Sequence, residues 1–423
     1  MTIQPRTLKG FRDFLPADMR IRQHVFAVFR STFELYGYEP LETPVLEYAD
    51  ILLGKYGEEA EGLLYRFIDR GKRDVAMKYD LTVPACRVLA QYQNELPLPF
   101  KRYQIQPVWR AENTQKGRFR EFYQCDADTF GTTSKLVEAE FIQMGIEALT
   151  TLGFSDVVVR MNNRKIIDGI VQYAGATEYE FYTICTAVDK LDKIGIDGVQ
   201  DEMRSKDIPE QAIAKITEII SLPQEDSLDH MQTLLAGIPI AQEGIAEIRE
   251  IFAYLQQAKV DPSFYNFDTT IIRGLSYYTG PIWEFAIRDG GVGSIGGGGR
   301  YDRLVNLYAG KDIPAAGGSF GIERLIEIIK DRGMMTDLSG VDVLVTIFSP
   351  KQAAYSVQIA KQLRAAGKRV ALYPDPQAKM EKQLTYANRK GIRMVVIAGQ
   401  SEQENNIYKL KDMQTGVETI AQL

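Results

Sequence analysis

The chemistry open to this sequence is narrowed first by what it lacks. Its 423 residues include two histidines, His24 and His230, so reactions run by imidazole acid–base pairs have almost no material. Each is read as a surface or helix-face residue. Cys86, Cys125 and Cys185 match no zinc-ligand spacing and cannot build a disulfide framework, which points to a reducing compartment. Gly291, Gly293 and Gly296 satisfy G-x-G-x-x-G, but a dinucleotide site needs a strand before that motif and a helix opening on it. Here Gly297, Gly298 and Gly299 follow, then Arg300, Tyr301 and Asp302, so the context is wrong. No G-x-x-x-x-G-K-S/T loop is present either. A backbone without Cβ atoms still allows close packing against a small planar ligand; the competing reading is a flexible hairpin turn.

Charge is distributed unevenly. The chain carries 50 Lys+Arg against 56 Asp+Glu, a net charge of −6. Residues 341–423 hold 12 basic and 7 acidic residues, whereas residues 170–250 hold 16 acidic and 6 basic ones. A second basic island, 101–120, sets Lys101, Arg102, Arg110, Lys116, Arg118 and Arg120 against Glu112 alone. Two positive zones on an acidic background suit a polyanion held at two places, with ordinary solvated surface as the bland alternative.

The elements that would position these groups follow from periodicity. Ile21, Val25, Phe29 and Phe33 repeat every four residues, which predicts a helix that starts after Pro16 and ends near Gly37. Pro40 and Pro44 then permit extended chain but no helix. Residues 65–131 read as strands and turns, with two long runs flanking Asn113–Gly117 as an antiparallel pair joined by a basic loop. A helix is expected over 134–153, a strand at 156–163, an acidic helical region over 163–260, strand character again from 269, and an apolar helix from about 319 to 330. The last block alternates apolar strands with helical stretches at 351–367 and 376–391, which predicts a small α/β domain with a mainly parallel sheet. The 423 residues suggest two or three domains. No uncharged apolar run reaches membrane-helix length and MTIQPRTLKG has no signal-peptide core, so a cytoplasmic location is expected.

Several long motifs then occur in order. FKRYQIQPVWRAENTQKGRFREFYQCDADTFG (100–131) resembles motif 2 of the class II aminoacyl-tRNA synthetases in its histidyl form. EPLETPVLE is similar to motif 1 and GGSFGIERLIEII to motif 3, while KYDLTVPACR, IIRGLSYYTGPIWEF and GGGGRYDRLV look like histidine-binding segments of the histidyl-tRNA synthetase family. The resemblance spans nearly the whole chain. It implies an α+β fold: a six-stranded antiparallel sheet flanked by helices (residues 1–330), a helical insertion at about 170–260, a linker at 331–340, and an anticodon-binding α/β domain at 341–423. It also implies a homodimer formed through the first helix and the Pro44 segment.

The resemblance implies site roles as well. Histidine and ATP would give histidyl-adenylate, and histidine would then pass to its tRNA. Two anions meet in that first step, so fixed positive charge matters more than an enzyme nucleophile. Arg110 would hold the α-phosphate and the substrate carboxylate, Glu112 the adenine amino group and Phe122 the adenine ring. Arg118 and Arg324 would hold the γ-phosphate, with Mg2+ bridging the phosphates, and Arg273 would be the catalytic arginine. Asp80, Leu81, Thr82 and Gln124 would surround the α-ammonium. Asp128 and Tyr278 would meet the two ring nitrogens, with Tyr277 and Tyr301 as walls. The sequence departs from the family at Ser276, where Asp is usual. The rival readings are a non-catalytic paralogue acting as a regulatory subunit of ATP phosphoribosyltransferase, which usually lacks the C-terminal domain, and a histidine sensor.

Overall fold

A computed structural model describes residues 3–54, 62–222, 227–272, 277–291, 293–336, 338 and 340–423. Arg273 and Ser276 therefore lie outside the described residues. The chain forms two compact units, residues 1–14 with 22–334, and residues 15–21 with 335–423.

In the first unit the strands are β1 (Glu39–Pro40), β2 (Leu46–Tyr48), β3 (Arg66–Ile68), β4 (Asp74–Met77), β5 (Phe100–Trp109), β6 (Glu121–Phe130), β7 (Val157–Asn163), β8 (Tyr265–Phe267), β9 (Pro281–Ile287), β10 (Gly296–Arg300) and β11 (Ala315–Gly321). Among the described residues one sheet has eight strands, in the order β1-β5-β6-β11-β10-β9-β7-β8. Its six inner strands are antiparallel, as expected, but two short edge strands, β1 and β8, add parallel pairs. Both edges are too short to show a period in the sequence. β2, β4 and β3 form a separate small sheet.

Register sorts the side chains of the large sheet onto two faces, because neighbours on a strand alternate and directly paired residues share a face. One face carries Phe285 and Phe320, whose rings lie 4.8 Å apart, and Trp283. Phe29 of the helix Pro16–Leu35 packs at a tilt on Phe320 at 4.8 Å, and Phe141 of the helix Leu136–Thr151 meets Trp283 at 5.3 Å. This is the apolar core, and the fourfold repeat in the first helix faces it through Val25, Phe29 and Phe33. The other face carries Arg102, Gln104 and Gln106 of β5 opposite Asp128, Asp126 and Gln124 of β6, followed by Gly317, Ser319 and Gly321 of β11.

The glycine run is neither a turn nor a nucleotide loop: Gly296–Gly299 form β10, in the middle of the sheet. Gly297 and Gly299 leave the polar face bare, and Gly298 faces the core side, where a Cβ would stand 2.2 Å from the Gly317 carbonyl oxygen. Arg300, which ends the run, is a buried structural residue. It points to the helix side and grips Glu138 with two hydrogen bonds of 2.6 and 2.9 Å. Burial pushes the Glu138 carboxyl up against that attraction.

Two other expectations change. The segment read as strands and turns contains a helix, Thr82–Gln91, whose Pro84 sits in the first turn where a missing N–H costs little. The island 101–120 is not all surface, since Lys101 and Arg102 lie within β5 and Arg102 is fully buried. The acidic region is helical: Arg164–Ala174, Glu178–Val188, Leu191–Ser205, Glu210–Ile220, Ser227–Leu234 and Pro239–Gln257 lie between β7 and β8.

In the second unit β12 (Val343–Val345), β13 (Val370–Leu372) and β14 (Met394–Ile397) are parallel, and β15 (Ile407–Asp412) and β16 (Glu418–Gln422) extend the sheet antiparallel. Among the described residues no helix is long and apolar enough to cross a membrane.

Because backbone rather than a flexible side chain blocks the space at Gly298, Gly298→Ala should destabilise the protein by about 1–3 kcal/mol, as overpacking does. Urea denaturation of the two proteins measures this; equal midpoints would show that β10 and β11 relax freely.

Candidate active site

The polar face opens into a cavity of about 860 Å3. Of the residues singled out in the sequence, Arg110, Glu112, Arg118, Phe122, Gln124, Tyr278 and Arg324 line it. The β5–β6 hairpin supplies most of them: Arg110 follows β5, Glu112 and Arg118 lie in the connecting loop, and Phe122 and Gln124 are on β6. Arg324 comes from the first turn of the helix Ile322–Asp331, directly after β11.

The cations at this end are held in place. Arg110 lies over the rings of Tyr79 (4.3 Å) and Phe122 (5.0 Å) and donates to the Tyr79 carbonyl at 3.2 Å. Arg324 donates to the Ser294 carbonyl at 2.6 Å. Arg118 pairs with Glu112, and the hydrogen bond to that carboxylate raises the guanidinium pKa. Glu323 accepts from both Arg12 and Arg22, tying the N-terminal segment and first helix to the start of the Ile322–Asp331 helix.

Further along the same sheet face the carboxylates are buried, and Asp80, Leu81, Thr82, Asp128, Tyr277 and Tyr301 are not among the residues that line the cavity. Asp128 accepts from the Tyr301 hydroxyl and pairs with Arg102. Tyr301 packs edge-on to Tyr277 at 6.0 Å, and Tyr277 lies 4.3 Å from Tyr278, so the three predicted tyrosines form one group. Asp80 is buried and accepts from the Val83 backbone N–H at 3.1 Å, holding the start of the helix Thr82–Gln91. Leu81 is fully buried, and its carbonyl accepts from Arg102 at 3.3 Å. Thr82 is half-buried at that helix start. Gln124 donates to Ser319 at 2.7 Å, while its buried Oε1 has no hydrogen-bond partner among the described residues.

Several contributors were not singled out in the sequence. Arg102 and Asp126 are buried on this face. Ser319 and Glu284 extend the cavity floor, and Asp189 and Lys193 reach the cavity from the helical insertion. Arg102–Gln104–Gln106 and Gln124–Asp126–Asp128 do carry a signal: polar residues at strand period two, interleaved with apolar ones. Burial pushes the Asp126 carboxyl up to about 7, against the pull of Arg102 and with added push from Asp128.

Comparison with known proteins identifies the family. A family model described as histidyl-tRNA synthetase matches residues 10–325, and one described as an anticodon-binding domain matches residues 342–422. The chain belongs to the histidyl-tRNA synthetase family. Among this family's members, the histidine–tRNA ligase of Christiangramia forsetii is 38% identical, covering 98% of this chain and 97% of the relative. That of Gloeobacter violaceus is 39% identical over 97% of this chain and 94% of the relative. The crystal structure of histidyl-tRNA synthetase from Nostoc sp. PCC 7120 superposes with a TM-score of 0.90 at 29% identity, covering 100% of this chain and 97% of that one. A Bacillus halodurans structure described as an ATP phosphoribosyltransferase regulatory subunit/histidyl-tRNA synthetase shares the fold, with a TM-score of 0.78 at 20% identity and coverage of 91% of this chain and 97% of that one.

The Asp126 shift has a definite consequence for stability. Unfolded, the carboxyl ionises near 4; folded, it keeps its proton to about 7. Between those values the folded state binds more protons, so this group costs stability as pH rises from 4 to 7 and the cost is constant above. Asp126→Asn removes that titration. The stability of the variant relative to the parent should therefore rise between pH 4.5 and 7.5 in urea denaturation, and a pH-independent difference would place the Asp126 titration elsewhere.

Proposed function

We propose that this chain is an ATP-dependent histidine–tRNA ligase, and that the polar face of the large sheet is where both reaction steps occur. The observation that carries the reading is that one face of the large sheet holds an arginine-lined cavity at the β5–β6 loop end and the buried carboxylates Asp126 and Asp128 further along the same strands, beside glycines of β10 and β11. An amino acid activated by ATP needs that division: an ammonium and an imidazole N–H at one end, polyphosphate at the other.

In the first step a histidine carboxylate oxygen attacks the α-phosphorus and the bond to the bridging oxygen of pyrophosphate breaks, giving histidyl-adenylate. Arg110, already fixed over Phe122, would bring carboxylate and α-phosphate together. Arg273 would neutralise the charge that grows on the α-phosphate. Arg118 and Glu112 pair with each other; with ATP, Arg118 would exchange its partner for the γ-phosphate alongside Arg324, and Glu112 would accept from the adenine amino group over Phe122. Asp80, Thr82 and Gln124 would take the α-ammonium, with Asp128 and Tyr278 at the ring nitrogens. In the second step a terminal ribose hydroxyl of tRNA attacks the activated carbonyl and AMP leaves.

Magnesium would supply charge neutralisation between the phosphates. The described residues contain no group of three potential metal ligands, and the carboxylates on the cavity wall include Glu112, Glu284 and Glu323. Glu323 is paired with Arg12 and Arg22, Glu112 with Arg118 and Glu284 with Arg160, so the chain fits an ion carried by phosphate oxygens and water with little ligation from the protein.

Residues 341–423 would grip the anticodon arm, and Phe348, 58% exposed just beyond the C-terminal end of β12, offers a surface for a base. A homodimer is supported by exposed apolar residues beside Pro44, with Leu46 at 42% and Tyr48 at 54%. The regulatory-subunit reading is not favoured, because Arg110, Arg118 and Arg324 are present and the C-terminal block matches an anticodon-binding model.

The test is charging of unfractionated tRNA with labelled histidine. The full chain should charge it; removing residues 341–423 should leave adenylate formation largely intact while charging falls steeply through weaker tRNA binding, since remote contacts contribute binding energy without touching the reacting atoms. Undiminished charging by the shortened chain would refute the anticodon role. No charging by the full chain would refute the ligase assignment.

A further inference from the structure

Arg102 was counted in the sequence only as part of a basic island, yet it is among the largest fully buried side chains of the protein. It stands directly opposite Asp128 in the β5–β6 register. Its guanidinium does three things at once: it pairs with the Asp128 carboxylate, donates to the Leu81 carbonyl at 3.3 Å, and donates to Gln104 Oε1 at 2.9 Å. We infer that Arg102 is a positioning residue for the amino-acid substrate, fixing with one rigid fork the spacing between the ring acceptor Asp128 and the ammonium-side segment Asp80–Thr82.

The inference rests on the proposed roles of Asp128 and Asp80. Its physical basis is separate from them. A carboxylate buried on the floor of a sheet loses its hydration and takes up a proton unless a fixed cation compensates. Ionised, Asp128 only accepts hydrogen bonds; protonated, it could donate to a ring nitrogen and would no longer select an N–H. Arg102, fully buried beside Asp128 on the same face, supplies the compensating charge, and the planar fork sets direction as well as charge. The other side of the carboxylate is fixed by the Tyr301 hydroxyl. Gly317 makes the room, since a Cβ there would lie 2.3 Å from Asp128 Oδ1.

The fork is braced from behind. Gln104 donates to Thr43 Oγ1 at 3.2 Å and to Gln106 Oε1 at 2.9 Å. Lys78, fully buried, donates to Gln106 Oε1 at 3.0 Å and to the Thr43 carbonyl at 3.1 Å. None of these partners belongs to the arginine-lined end of the cavity. Arg102 should therefore govern histidine and leave ATP alone.

ATP–pyrophosphate exchange gives the KM for histidine and for ATP in the parent, R102L, R102K, D128N and R102L/D128N. R102L should raise the histidine KM by about tenfold or more while the ATP KM stays within about twofold, the loss of one buried charge-assisted partner. R102K, which keeps charge without the fork, should recover part of that loss. In the D128N background R102L should add less than its full factor, because the share of its action that runs through Asp128 is already lost and only the hold on the Leu81 carbonyl remains. The inference is overturned if R102L leaves the histidine KM unchanged, raises both KM values alike, or adds its full factor on top of D128N. An unchanged histidine KM in D128N alone would instead overturn the Asp128 assignment on which the inference rests. Should R102L fail to fold by circular dichroism, R102K and the charge-neutral double variant decide: a double variant about tenfold worse than D128N overturns the inference, and a match supports it.

Discussion

A carboxylate buried on a β-sheet floor needs a cation that cannot leave, and the pairing of Arg102 with Asp128 meets that need in this protein. Much of the surrounding architecture is arranged around that pair. The β5–β6 register puts the two residues directly opposite each other. A one-residue slip of either strand would turn its member of the pair onto the apolar face and break the pairing. Gly317 on the next strand is small because the carboxylate occupies the space a Cβ would need. Tyr301 reaches the polar face because it follows Arg300, whose own side chain is committed to Glu138 on the opposite side.

The same two-faced sheet explains why the site has two chemically different ends. Strands β5 and β6 are ten residues each, long enough to carry the buried carboxylates at one end and the arginine-rich loop at the other. Between them the floor is glycine and serine from β10 and β11, so substrate can lie against backbone. Fixed positive charge at the loop end is held by aromatic rings and carbonyls rather than by solvent, which spares reorganisation when anions meet there.

Much of this was legible in the sequence and some was not, for identifiable reasons. The first helix, the hairpin with its basic loop, the helical insertion and the strand–helix alternation of the C-terminal block all have long periods or clear turn residues, and such signals survive without tertiary context. The helix Thr82–Gln91 was hidden by Pro84, whose place in the first turn becomes evident only with the helix boundary known. β1 and β8 are held as edge strands by pairing with β5 and β7, which local pattern does not record. Arg102 was misread because a run of charge was counted without its strand period; read in alternation with Tyr103 and Ile105, it belongs to the face of Asp128. Arg273 remains an assignment by motif, since it lies outside the described residues.

The central claim is that this buried, charge-compensated floor selects histidine and presents it to ATP. Its most direct test is pyrophosphate exchange by the purified full chain with each of the twenty amino acids in turn. The account predicts exchange with histidine alone. Exchange with none of them, or equal exchange with an amino acid whose side chain has no N–H to offer Asp128, would contradict it.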